Sequence, residues 1–464
     1  MSKTEKKLLI LVLILALVLA ALVVGVRMWS EYRYQNDHIF VEDAVYRKDA
    51  ASLDLRGTGI SLAHYETVRQ QLPNCVIAWE LPFQGGFVDA VAEELTVTAL
   101  SEEDVALLDH LPRLKTVDAT GCTDYAQIFA LRQRRPELEV LYQVELGGEI
   151  YTETVTSLSY DGEAPEAAEL MEKLAWLPNM ESIWINEPQM AAADLLALRE
   201  AYPNIDFTWQ KTVLGITYPH DVTHIDISGT ELESVEEVEA GMAYFPDLEK
   251  LEMHNCGIDN ETMAAFRERV RDHYQVVWTV IIYTLEVRTD DEFFMPGKYG
   301  VKVPHYLLDD LIYCEGMICV DVGHGDVRHC EWVKGMPNLK YLILADTNIR
   351  NIGPLETCKN LIYLELLMSQ VQDLTPLQGC TALQDLCVAD TVCEVTPLAK
   401  MPWLKNLWVN MNHTVKPDVR ALLSESLPDT HIVFDCSWPT GDGWRQLQNY
   451  YDMRDIVDMP YFTW

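Results

Sequence analysis

Basic residues are scarce in this 464-residue chain: 35 Lys and Arg stand against 72 Asp and Glu, a formal net charge of −37. A field of that sign repels phosphate backbones and anionic headgroups, which argues against nucleic acid as a partner. No P-loop, H-E-x-x-H, G-x-S-x-G or EF-hand loop occurs, so none of the common nucleotide, metalloprotease, serine-hydrolase or calcium motifs is present. The Gly57-Thr-Gly59 and Gly323-His-Gly325 pairs lack the third glycine of a dinucleotide turn and read as turn glycines. There is no C-x-x-C among the eleven cysteines, and an odd number leaves at least one thiol without a partner in its own chain. Cys314, Cys319 and Cys330 are the candidates for a disulfide. Disorder is excluded as well, because apolar residues make up 49% of the chain, with 12 Trp and 21 Tyr.

What is present begins with Leu8 to Val26, an unbroken run of 19 apolar or small residues. At ~1.5 Å per residue it approaches ~30 Å, the thickness of a bilayer core. Lys3, Lys6 and Lys7 precede it, and Arg27, Met28 and Trp29 follow as an interfacial anchor. A cleavable signal peptide is the rival reading, but the run exceeds a usual h-region and no A-x-A site closes it. The expectation is one uncleaved transmembrane helix over 8–26, a cytoplasmic tail over 1–7, and a C-terminal region outside the cell. The cysteines count against that orientation.

The rest of the chain repeats. Leu339, Leu342, Leu344, Thr347, Ile349, Ile352, Pro354 and Leu355 recur as Leu361, Leu364, Leu366, Ser369, Val371, Leu374, Pro376 and Leu377. They recur again as Leu383, Leu386, Val388, Thr391, Cys393, Val395, Pro397 and Leu398, and a fourth copy opens at Leu404, Leu407, Val409 and Asn412. The steps are 22, 22 and 21 residues. An L-x-L pair puts two side chains on one face of a short strand. One such coil cannot bury that face, so successive coils stack into a parallel sheet around a continuous core. Thr347, Ser369, Thr391 and Asn412 fall at the strand exit, where a small polar side chain is expected to bond the neighbouring coil.

Residues 336–413 resemble bacterial leucine-rich repeats of the internalin type, with their LxxLxLxxNxIxxIxPL pattern. The resemblance implies an α/β solenoid that binds a protein or peptide ligand and carries no catalytic group. Thr or Ser mostly replaces the family's Asn, which predicts a weaker polar ladder.

The signature continues upstream in looser form at Leu53, Val117, Ile183 and Leu251, spaced 64, 66 and 68 residues apart, close to three coils each. A second strand type ends in an aromatic residue, at Trp79, Tyr142 and Trp209. Amphipathic connectors are predicted as helices over 62–72, 124–134, 191–201 and 261–271. Those in 345–400 are too short and are predicted as 3₁₀ or extended turns. The resulting map is a stalk or cap over 27–50 and an irregular solenoid over 51–285. An insertion or junction over 286–316 and regular repeats over 317–435 follow. A C-terminal cap over 436–464 closes the open end with Trp438, Trp444, Tyr450, Tyr451, Tyr461, Phe462 and Trp464.

Strand alternation sets the candidate site. Side chains flanking the buried Leu project from the concave face: Tyr341, Ile343, Tyr363, Glu365, Leu367, Asn406 and Trp408, with Asp118, Trp184, Asp226, Glu252, Asp385 and Cys387 in the same columns. Exposed aromatics flanked by acids suit protein recognition. The alternative is that a helix, a loop or another molecule already covers them. Two further readings stay open. One is a carbohydrate- or wall-binding module built on Trp79, Tyr142 and Trp209, where core packing competes. The other, remote, is an enzyme; His324, Asp326, His329, Cys330 and Glu331 are residue types that suit zinc, but their spacing fits no established ligand pattern and they read as an ordinary strand-exit loop. No cofactor is expected.

Overall fold

In the computed structural model, which describes residues 3–41 and 44–459, the chain divides into two compact units, Met1–Thr208 and Trp209–Trp464. The first opens with one helix, Lys3–Asp37, whose apolar residues from Leu8 onward are exposed on every side. Thirty-five residues rise to ~52 Å, so the helix outruns a bilayer core of ~30 Å. It is long and apolar enough to cross a membrane, a test that a signal sequence also passes. The stalk expected over 27–50 is thus the end of this helix followed by a hairpin, His38–Val41 with Ala44–Arg47.

Beyond it the first unit is built of parallel strands joined by helices. Ser52–Asp54 pairs with Val76–Ala78 across the helix Leu62–Gln71, which Ser61 caps by accepting the His64 N–H. Glu94–Thr96, Thr116–Asp118 and Glu139–Leu141 form a second parallel set, and Ser157–Asp161 with Ser182–Asn186 begin a third. The helices Tyr125–Arg134 and Ala192–Ala201 match the predicted connectors.

The sheet is not continuous, contrary to the expectation. Hairpins break the parallel runs, and each begins one residue after an aromatic strand end. Glu80–Phe83 folds back as Gly86–Asp89, and Gln143–Leu146 as Glu149–Thr152. Both turn residues have positive φ, Gln84-Gly85 at 51° and 73° and Gly147-Gly148 at 62° and 78°, the geometry of a type I′ turn. The second unit opens on the same device, with Leu214-Gly215 turning into Ile216–Pro219. Each hairpin buries one face, through Phe83, Leu146 and Val213.

Within the second unit, His224–Asp226, Lys250–Glu252 and Gln275–Val277 form a parallel set, followed by the hairpin Thr279–Ile282 with Leu285–Arg288. Then comes one parallel sheet of seven strands: Phe293–Phe294, Cys319–Asp321, Tyr341–Ile343, Tyr363–Glu365, Asp385–Cys387, Asn406–Trp408 and His431–Val433. Residues 286–316 are therefore no insertion. They supply the return arm of a hairpin, the first strand of this sheet, and the 3₁₀ turns Pro296–Tyr299, His305–Leu307 and Asp309–Tyr313. The connectors Gly353–Thr357, Thr375–Gly379 and Thr396–Lys400 are 3₁₀ as predicted, each with Pro in its first turn. The missing N–H of Pro costs nothing there.

Val320, Leu342, Leu364, Leu386 and Leu407 lie in register and fully buried. After each strand the chain turns through a non-glycine residue at positive φ: His324, Asp346, Met368, Asp390 and Met411. The strain is offset by coil-to-coil hydrogen bonds. His324 N–H donates to the Ala345 carbonyl (2.8 Å), Asp346 to Leu367 (2.8 Å), Met368 to Ala389 (3.0 Å) and Asp390 to Asn410 (3.0 Å). The polar ladder is as weak as expected, for a steric reason. Thr347 and Thr391 donate only within their own coil, to the carbonyls of Leu344 and Val388, and buried Ser369 Oγ has no partner among the described residues. Asn412, one bond longer, does bridge, from Nδ2 to Thr391 Oγ1 at 2.9 Å.

Candidate functional site

Strand alternation places Tyr363 and Glu365 opposite Leu364 in the sheet, as the pattern requires. The outward face is nevertheless closed. Tyr363 and Glu365 are 0% exposed, Trp408 1%, Leu367 4%, Ile343 5% and Tyr341 6%, with Asn406 half-buried. The cover is the chain's own C-terminal segment, residues 436–459. By sequence this segment reads as a cap on the open end of the stack. Across the strand face it forms a second apolar core through Trp444, Tyr450, Met453 and Val457. Tyr461, Phe462 and Trp464 lie outside the described residues. Tyr450, Met453 and Val457 recur at helical spacing in Gln448–Ile456 and the residue after it. That stripe was the sequence signal for a helix seeking an apolar surface.

Polar contacts fix the seating. Trp444 stacks on Tyr363 at 4.9 Å between ring centroids and meets Trp408 edge-on at 5.1 Å. Its Nε1 donates to Glu365 Oε1 at 2.9 Å, Arg445 Nη2 donates to Oε2 at 3.0 Å, and the Tyr363 hydroxyl donates to the same carboxylate. Asn449 and Asn406 each donate to Asp385, both at 2.8 Å. Trp408 Nε1 donates to the Gly441 carbonyl at 2.8 Å, Asn410 Nδ2 to that of Trp438 at 3.0 Å, and Lys298 Nζ to that of Val457 at 2.7 Å.

Burial shapes the acidities. It drives the Tyr363 phenol well above its ordinary value, helped by the adjacent Glu365 carboxylate. It also raises the Asp385 carboxyl, against the opposing hydrogen bonds from Asn406 and Asn449. Asp321 is pushed up to about 6 by burial, against the Gly323 N–H that bonds its carboxylate.

The upstream columns are organised differently. Asp118 and Asp226 accept the N–H two residues on, at Thr120 (3.1 Å) and Ser228 (2.9 Å), and Asp54 and Asp321 do the same. These are Asx turns that cap strand exits. Glu252 is bound by Arg288 and Lys250, which hold its carboxyl at about 2. Trp184 remains 38% exposed.

The other candidates do not gather into sites. Trp79, Tyr142 and Trp209 are buried at 1–3% exposure, Tyr142 donating to the Trp176 carbonyl and Trp209 to that of Tyr244. They pack the core and offer no surface to a sugar. His324 pairs with Asp346, His329 faces Asp309, and Asp326 binds Arg328. Among the described residues no three His, Cys, Asp or Glu side chains converge as a metal would need. All eleven cysteines are free thiols, and burial raises those of Cys314 and Cys330 to about 12.

The repeated coil carries a family match: the model described as leucine rich repeats, two copies, matches residues 337–379. That match falls within the stretch whose 22-residue spacing reads as leucine-rich repeats in the sequence. A comparison with curated proteins finds no match. Among solved structures it is similar to internalin C2 of Listeria monocytogenes, at 17% identity, 48% of this chain and 87% of that one, with a TM-score of 0.26. An internalin (inlF) of the same organism is 13% identical over 80% of this chain and 88% of its own, with a TM-score of 0.25.

Proposed function

We propose that this is a single-pass membrane protein with its repeats outside the cell. It recognises a protein or peptide ligand on the strand face around Tyr363, Glu365 and Trp408. In the free protein the segment 436–459 occupies that face, so a ligand exchanges with it. One observation carries this reading. Glu365 is a fully buried carboxylate whose charge is met by groups from 79 and 80 residues away. Well-packed apolar residues generally serve stability as well as or better than a buried ion pair, and such pairs are best attested where they select a partner. The seated segment defines the ligand chemistry: an aromatic N–H and a guanidinium for Glu365, and an amide for Asp385.

The test compares residues 31–464 in wild-type form with a Trp444→Ala/Arg445→Ala variant as bait for extracellular polypeptides. Selective capture by the opened variant, competed by a synthetic 436–459 peptide, supports exchange. Equal capture by both baits places recognition on another surface. The topology is checked separately: protease added to intact cells is expected to digest residues 31–464, and protection until lysis reverses the orientation.

A further inference from the structure

We infer that the second unit holds a separate binding site for a small organic anion with an apolar body, formed where the C-terminal segment meets the first coils of the seven-stranded sheet. This does not rest on the protein-binding reading. A cavity of about 360 Å³ lies between the 3₁₀ turn Pro296–Tyr299, the strand exit 321–327, and the C-terminal residues Arg445, Arg454 and Met459. That size suits a small ligand, since such sites run from about 300 Å³ upward.

Its charge runs against the rest of the molecule. Lys298, Lys302, Arg445 and Arg454 line it together with His324, and among the described residues Asp321 is its only carboxylate. Thus four of the chain's 35 Lys and Arg surround one cavity with one of its 72 acids. A concave site of one sign between low-dielectric walls focuses its field and concentrates the opposite charge. Some of the positive charge is already engaged. Arg445 bonds Glu365 through Nη2, Lys298 donates to the Val457 carbonyl, and Arg454 lies over the Tyr450 ring. Capacity remains, because Arg445 Nε is buried with no hydrogen-bond partner among the described residues, and Lys302 is exposed. The remaining wall is largely apolar, with Met295, Val303, Val322, Val327 and Ile343 buried around it. Bare phosphate would leave that wall unused, whereas a carboxylate on a short hydrocarbon or aromatic body meets both halves.

The experiment uses the full chain in detergent, titrated with hexanoate and benzoate by calorimetry, with hexanamide and inorganic phosphate as controls. Hexanoate or benzoate is expected to bind saturably, to raise the melting temperature through ligand linkage, and to weaken as salt rises. Lys302→Glu, at an exposed position, should weaken binding at least about tenfold without disturbing the fold. Val301→Trp, which narrows the cavity without touching charge, should abolish it. Saturable carboxylate binding lost in both variants establishes the site. The inference is overturned by absent carboxylate binding, by equal binding of hexanamide or phosphate, or by indifference to both substitutions.

Discussion

Trp444 Nε1 donates to the Glu365 carboxylate at 2.9 Å, joining residues 79 positions apart. The contact ties the middle strand of the seven-stranded sheet to the C-terminal segment. The second unit therefore has two apolar cores, one on each side of that sheet. Inside the coils, Leu342, Leu364, Leu386 and Leu407 stack in register. Outside them, Tyr363 and Trp408 enclose Trp444.

Removing the buried Glu365 carboxylate should be costly. Glu365→Ala leaves Arg445, the Trp444 N–H and the Tyr363 hydroxyl without their acceptor, for an expected loss of about 3–5 kcal/mol. The Glu365→Met/Arg445→Met double variant, which removes both charges, should recover much of it. Urea unfolding of wild type, Glu365→Met, Arg445→Met and the double variant, the four members of this cycle, measures the coupling. A single-variant loss below about 1 kcal/mol would mean water reaches the carboxylate.

Trp444→Ala should open the strand face without dissolving the repeats. Truncating a buried Trp costs about 3–5 kcal/mol, and the loss falls on the segment that Trp444 anchors. Limited proteolysis is expected to cut within 436–459 well before the repeats. Tyr363→Ala and Trp408→Ala, at positions that alternation alone placed on an exposed face, should destabilise by similar amounts. Cleavage of the variant at the wild-type rate would show that the segment is held elsewhere.

Leu364→Asp places an unpaired carboxylate between stacked coils and should unfold the second unit's repeats, at a cost of roughly 3 kcal/mol or more. Thermal denaturation followed by circular dichroism reads the outcome. A melting curve matching wild type rejects the register of the central strands.

Asp321 predicts a pH dependence of definite sign. Its folded carboxyl titrates at about 6, against about 3.9 in an unfolded chain. The folded state thus favours the protonated acid. That contribution is fully present below about pH 4 and is lost as pH rises through about 6. Asp321→Asn keeps an oxygen for the Gly323 N–H and avoids the buried charge. It should stabilise by about 1–3 kcal/mol at pH 7.5 and by nearly nothing at pH 4. Urea unfolding at both pH values decides, and an equal gain at both removes Asp321 from the explanation.

Much of the architecture was legible locally because its causes are local. The 22-residue spacing of Leu342, Leu364 and Leu386 forces stacking, since one coil cannot bury its own face. Pro354, Pro376 and Pro397 announce 3₁₀ connectors. The hairpins had a local signal too, in Gln84-Gly85 and Gly147-Gly148, but each hides inside an apparent continuation of an aromatic strand. Alternation correctly sent Tyr363, Glu365 and Trp408 to the outer face of the sheet. It could not say what lies on that face, because their cover arrives from Trp444, Tyr450 and Met453 by a long-range contact with no fixed spacing. The basic cavity has the same origin. Lys298 and Arg445 are 147 positions apart, and only the return of the C-terminal segment over the first coils brings their charges together. Periodicity determined the repeat and which way each side chain faces. Burial, and with it the chemistry of those faces, was decided by the tertiary fold, because whether water reaches a side chain depends on everything packed against it.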